Sequence, residues 1–140
     1  MSNVYKRLRG ETDVQFILNA LELQAEITSY VCKEKFVPKK YRFILGSELI
    51  KKVDEMVDNI TFANSIFPTN EEEMAKRKDY QIKAISNCFQ VQNHIIRLEK
   101  CLNTVKVENL DKIIDLLCKE IVMLKKWHKT DKIKSKKDTG

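Results

Sequence analysis

The sequence predicts an all-α protein, an up-down-up-down antiparallel four-helix bundle. Three observations carry that reading. Only three Gly and two Pro interrupt 140 residues, and Leu, Ile, Lys and Glu are abundant, which disfavours a sheet. Apolar residues recur at three- to four-residue spacing in four long stretches, and no strand-like alternation or internal repeat is present. The connections between the stretches are short, as neighbouring antiparallel helices require. A chain of this length forms one domain: a bundle over 1–128 that includes a basic arm at 1–11, then a Lys-rich disordered tail over 129–140.

The first helix is expected to start at Thr12, where Thr12 and Gln15 have the spacing of a capping box, and to end near Glu34. Its stripe is Val14, Ile17, Leu18, Leu21, Ala25, Thr28 and Val31 or Cys32, widened by Phe16, Leu23, Ile27 and Tyr30. Pro38 suits a helical first turn, and no breaker follows until Pro68, so the second helix reads as one rod. Tyr41, Leu45, Leu49, Val53, Met56, Ile60 and Ala63 line one face of it, and Phe43, Ile50 and Val57 a second face beside the first. A second apolar face suggests burial against another subunit. Gly46 lies between the stripes, where glycine costs roughly 1 kcal/mol relative to Ala, so it marks either a close approach of backbones or a tolerated residue.

Thr69 and Glu72 form a second capping-box pattern, and Glu71, Glu72 and Glu73 suit a helix N-terminus. The third helix should run to about Leu102 with Tyr80, Ala84, Cys88, Val91, Ile95, Leu98 and Leu102 in its core stripe, and Ile85, Phe89 and Ile96 thickening it. After a connection over 103–109, the fourth stripe is Leu110, Ile113 or Ile114, Leu117, Ile121, Leu124 and Trp127, with Trp127 as the terminal plug.

The net charge of +6 is concentrated at the ends of the chain. Seven lysines against two aspartates give the last sixteen residues +5, Lys6, Arg7 and Arg9 give the front +3, and the remainder carries −2. The tail, with Lys125, Lys126 and Lys129 at its root, can hold nucleic acid by counterion release or act as a solubilising extension. A second basic group, Lys33, Lys35, Lys39, Lys40 and Arg42, falls at the first connection. Cations in a helix's first turn oppose its dipole, so local stability does not explain them. Beside exposed helix N–H groups they form a place for phosphate to dock; alternatively Arg42 caps a neighbouring helix and the lysines are solvated.

Catalytic and metal chemistry is not expected. The residues three before His94 and His128 are Val91 and Lys125, which excludes the Glu-x-x-His pairs of a di-iron bundle. Arg77 and Arg97 are too distant from those histidines for the Arg–His pair of HEPN-like ribonucleases. Cys32, Cys88, Cys101 and Cys118 include no CxxC pair and are expected to be buried thiols. No cofactor is implied. Neither a membrane span nor an export segment is legible, so the expected location is the cytoplasm.

The run Pro38-Lys39-Lys40-Tyr41-Arg42-Phe43, with Leu45-Gly46 and Ala63-Asn64, resembles the four-helix-bundle family of the accessory variability determinant of diversity-generating retroelements. That family is related to the ribosomal-RNA intervening-sequence proteins. The motif covers about thirty residues, and the helix order extends the likeness over most of the chain. The resemblance implies a homo-oligomeric ring of five bundles that binds a reverse transcriptase and template RNA, with DNA or an RNA–DNA hybrid as alternatives, to support mutagenic cDNA synthesis. It also implies that Phe43, Gly46, Ile50, Val57, Phe89 and Ile96 lie at subunit seams.

Overall fold

The computed structural model of the chain describes residues 14–134. The described residues are helical, with no strand among them. Helix α1 spans Gln15–Val31, α2 spans Ser47–Ser65, α3 spans Glu71–Cys101 and α4 spans Asp111–Thr130. Each packs against two of the others, α1 and α3 both resting on α2 and α4.

One core fills the space between them. Leu45, Leu49, Val53, Met56 and Ile60 enter it from the second stretch, and Ala84, Cys88, Val91, Ile95 and Leu98 from α3. In α1 the buried line is Ile17, Ala20, Leu23, Ile27, Tyr30 and Val31. Val14, Ile17, Leu18 and Val31 of the expected stripe are buried, but Ala25 is exposed, and Leu23, Ile27 and Tyr30, expected only to widen the face, join the core because larger side chains have more apolar area to remove from water. In α4 Ile113, not Ile114, is buried.

Three local expectations are corrected. The second stretch is not one uniform α-helix: an α-helical turn, Lys39–Tyr41, leads into a π-helical segment, Arg42–Gly46, before α2 begins. There the Ser47 N–H donates to the Arg42 carbonyl five residues back, and the Ser47 hydroxyl donates to the Phe43 carbonyl. Gly46 is why the backbone can sit so near α1, since a Cβ there would stand 2.5 Å from Val31 Cγ1. Next, the cap of α3 lies one residue later than expected. Asn70 accepts from the Glu73 N–H at 2.9 Å, and the Glu73 carboxylate accepts from the Thr69 N–H at 3.1 Å. The Thr69 hydroxyl, donating to the same carboxylate at 2.5 Å, and then the Thr69 N–H hold the Glu73 carboxyl below its ordinary pKa. Finally, α1 ends at Val31, not near Glu34, while its expected cap at Thr12 and the basic arm lie outside the described residues.

Specific pairs stitch the helices. Phe16 meets Trp127 with ring centroids 4.3 Å apart, Asn19 meets Glu120 at 3.0 Å, and Glu26 meets Lys112 at 2.9 Å. Between α2 and α3, Phe62 meets Tyr80, Asn59 meets Asn87 and Met56 meets Cys88. At one end of the molecule the Thr104 hydroxyl donates to the Phe36 carbonyl at 2.6 Å, joining two connections.

The opposite end is closed by residues expected to be a loose tail. Asp131, its side chain 4% exposed, accepts from Arg77 through Nε and Nη2 at 2.5 and 3.1 Å and from Gln81 Nε2 at 2.7 Å. Arg77 also donates to the Ile66 carbonyl and stands over the half-buried Trp127 ring, and the Lys134 N–H donates to the Pro68 carbonyl. A buried ion pair with satisfied bonds and the Lys134 backbone bond hold residues 131–134 to the bundle, so these residues are not the loose segment expected from 129. Residues 135–140 lie outside the described residues.

Candidate nucleic-acid interface

The first basic group forms because α1 stops at Val31 and the chain must turn before the second stretch. Two backbone bonds, Phe36 and Val37 N–H to the Lys33 carbonyl, close that turn. Val37 is fully buried and Phe36 stacks on Tyr30 at 4.3 Å, so the apolar residues point inward and Lys33, Lys35, Lys39 and Lys40 are left exposed. The Lys35 ammonium lies 4.9 Å from the Phe36 ring centroid and that of Lys40 lies 5.0 Å from Tyr41, within cation–π range.

Arg42 is not among these free cations. Its Nε donates to the Val37 carbonyl at 3.1 Å, and its Nη2 pairs with Glu34 at 3.2 Å. The same Glu34 oxygen accepts the Lys39 N–H at 2.9 Å. A side-chain carboxylate therefore already stands at the helix N-terminus where phosphate was expected to meet backbone donors, which leaves the lysine ammonium groups as the means of holding a polyanion here. Nothing in the sequence marks Glu34 for this role, because its i+5 and i+8 partners become neighbours only once the turn is formed.

Lys125, Lys126 and Lys129 are exposed too, but on the last turns of α4. Lys125 stands 5.3 Å from the Phe89 ring centroid. From Asp111, at the start of α4, Lys125 is about 21 Å away at 1.5 Å per residue. The structure thus separates the two basic groups. The first connection is instead accompanied by Lys106, on the segment docked at Phe36, and by Lys100 in the last turn of α3; both are exposed. As ordinary cations at a helix C-terminus they give no signal in the sequence.

The residues expected at subunit seams divide. Gly46 is buried against Val31 of its own chain, which removes it from any outer surface. Ile50 and Val57 are half-buried and pack on the core, so most of their apolar area is already covered within the chain. Phe43, Phe89 and Ile96 are exposed, and Ile82 continues the line of Phe89 and Ile96 at seven-residue spacing along α3.

Cys88 is buried, but Cys32, Cys101 and Cys118 are exposed, against the expectation for all four. Among the described residues no group of His, Cys, Asp and Glu could hold a metal ion, and no helix is long and apolar enough to cross a membrane. No protein-family model, curated protein or solved structure matches the chain.

Proposed function

We propose that the chain is a non-catalytic accessory protein of a diversity-generating retroelement, acting in the cytoplasm, where it binds template RNA and the reverse transcriptase to support mutagenic cDNA synthesis. The observation that carries the nucleic-acid part is the corner of Lys33, Lys35, Lys39 and Lys40: all four are exposed, and none forms an ion pair among the described residues. The family part rests on the motif around Pro38 to Gly46. In this reading the helices alternate up and down in an antiparallel bundle. The stitching pairs favour that topology, because partners descend along α4 and α3 as they ascend α1 and α2.

The chain acts as a ring of identical copies, five by resemblance, with the exposed Ile82, Phe89 and Ile96 line of α3 as the apolar part of the seam. Light scattering that gives a monomer at micromolar concentration contradicts the ring.

Salt dependence tests the nucleic-acid part. Four lysine–phosphate contacts on a single strand give a slope of about −3 in log affinity against log salt. Lys39→Glu with Lys40→Glu should flatten that slope and weaken binding, while the melting temperature barely moves, as expected of exposed positions. Absence of RNA affinity at low salt rejects the reading. It would leave a ribosome-associated or scaffold bundle of the intervening-sequence type, a reading favoured by one observation, the Glu34 carboxylate already seated on the helix N-terminus.

A further inference from the structure

We infer that Phe43 is a stacking platform for an unpaired nucleic-acid base, with Lys39 and Lys40 holding the flanking phosphates, so that this corner selects single-stranded over duplex RNA. The inference rests on the nucleic-acid reading of the corner and adds the class of strand it takes.

Phe43 is 85% exposed, and its neighbour Ile44 is 58% exposed. A phenylalanine left in water contributes no burial to folding, so the core does not account for it. The local backbone holds it outward. Leu45 and Gly46 are buried, Gly46 because of its contact with Val31, and Arg42 is tied to the Val37 carbonyl and Glu34. With both flanks pinned, the wide π-helical turn presents Phe43 and Ile44 to solvent.

Lys39 and Lys40 precede Phe43 by four and three residues, the spacing that places side chains on one helical face. A flat apolar ring next in the chain to two exposed ammonium groups, neither in an ion pair among the described residues, matches single-stranded nucleic acid, whose bases offer a π-face and whose phosphates lie within reach on either side. In a duplex the bases are stacked on each other, and the ring has nothing to cover it.

A second copy of the chain fits this surface less well. Ile50 and Val57, which continue the line of Phe43 along the helix, are half-buried against their own core, so the apolar strip stops at the corner. The exposed Lys39 and Lys40 next to it also favour a partner that carries an anion at every unit. A polynucleotide brings the phosphates with it.

The test is fluorescence anisotropy with a labelled oligouridine of about 15 nucleotides and an RNA duplex of similar length at about 50 mM salt, together with light scattering. Phe43→Ala should weaken oligouridine binding by about 5- to 150-fold, the range for loss of one base–aromatic stack. Its salt slope and its duplex affinity should match wild type, its molecular mass should be unchanged, and Phe43→Tyr should bind as wild type does. Undiminished oligouridine binding by Phe43→Ala overturns the inference, as does an equal loss on both RNAs. A loss that accompanies a fall in mass also overturns it and makes Phe43 a contact between copies. Wild-type chain that binds neither RNA overturns the parent reading, whereas wild-type binding with an unaffected Phe43→Ala overturns the stacking role alone.

Discussion

Glu120 should make the bundle less stable as pH rises through neutrality. Its side chain sits in the core with no exposed surface; Oε1 accepts from Asn19 Nδ2 at 3.0 Å, and Oε2 has no hydrogen-bond partner among the described residues. Burial pushes the carboxyl up to about 8 from an ordinary 4.5, the Asn19 bond pulling weakly the other way. Between those two pH values the folded chain holds a proton that the unfolded chain has released, so unfolding free energy falls with pH. The contribution is fully present below pH 4.5 and is lost as pH rises through 8, at about 1.4 kcal/mol per pH unit, or about 5 kcal/mol in all. That is comparable with the whole stability of a small domain. Urea unfolding followed by circular dichroism from pH 5 to pH 8.5 measures it, with Glu120→Gln as the comparison, since the amide keeps an acceptor for Asn19 but cannot ionise. His94 and His128, held low chiefly by burial, titrate in both proteins and cancel in the difference. Cys88, pushed up to about 12 by burial and then by the Glu120 charge, keeps its thiol proton in the folded chain over this range. The stability of wild type relative to Glu120→Gln should fall by about 3 kcal/mol between pH 5.5 and 8. A difference that does not change with pH refutes the reasoning.

Further outcomes follow from the packing. Gly46→Ala should destabilise by about 1–3 kcal/mol in urea unfolding, because the added methyl meets Val31 Cγ1 at 2.5 Å, and Val31→Ala in the same chain should relieve part of the loss. Asp131→Ala leaves Arg77, its side chain 10% exposed, without its carboxylate, and should cost about 3–5 kcal/mol by the same assay. Replacing both, as Arg77→Met with Asp131→Leu, should recover most of it. Asn70→Ala should cost about 1 kcal/mol through loss of the α3 cap, whereas Glu72→Ala should cost less than half of that, a difference visible in melting temperature.

The α2 and α3 core stripes were readable because a helix repeats its faces every few residues, so spacing alone identifies Leu49, Val53, Met56, Cys88, Val91 and Leu98 as inward. Two faces of similar apolarity were harder. In α1 the choice between Ala25 and Ile27 depends on what stands opposite, and in the second stretch Ile50 and Val57 are apolar enough for a seam yet close enough to the core to be half-covered by it. The four lysines of the first connection were legible as a charge cluster in sequence. The role of Glu34 was not, since its bonds to Arg42 and the Lys39 N–H exist only across a formed turn.

Composition and periodicity therefore determined the helical class, the four stretches, and one basic corner together with a basic chain end. Tertiary structure alone decided that the two basic groups stand at different ends, that Asp131 locks the chain back onto Arg77, and that Gly46 belongs to the interior. Periodicity is a property of neighbours along one helix, whereas an ion pair across fifty residues, a backbone approach and the free side of a ring depend on how separate helices meet.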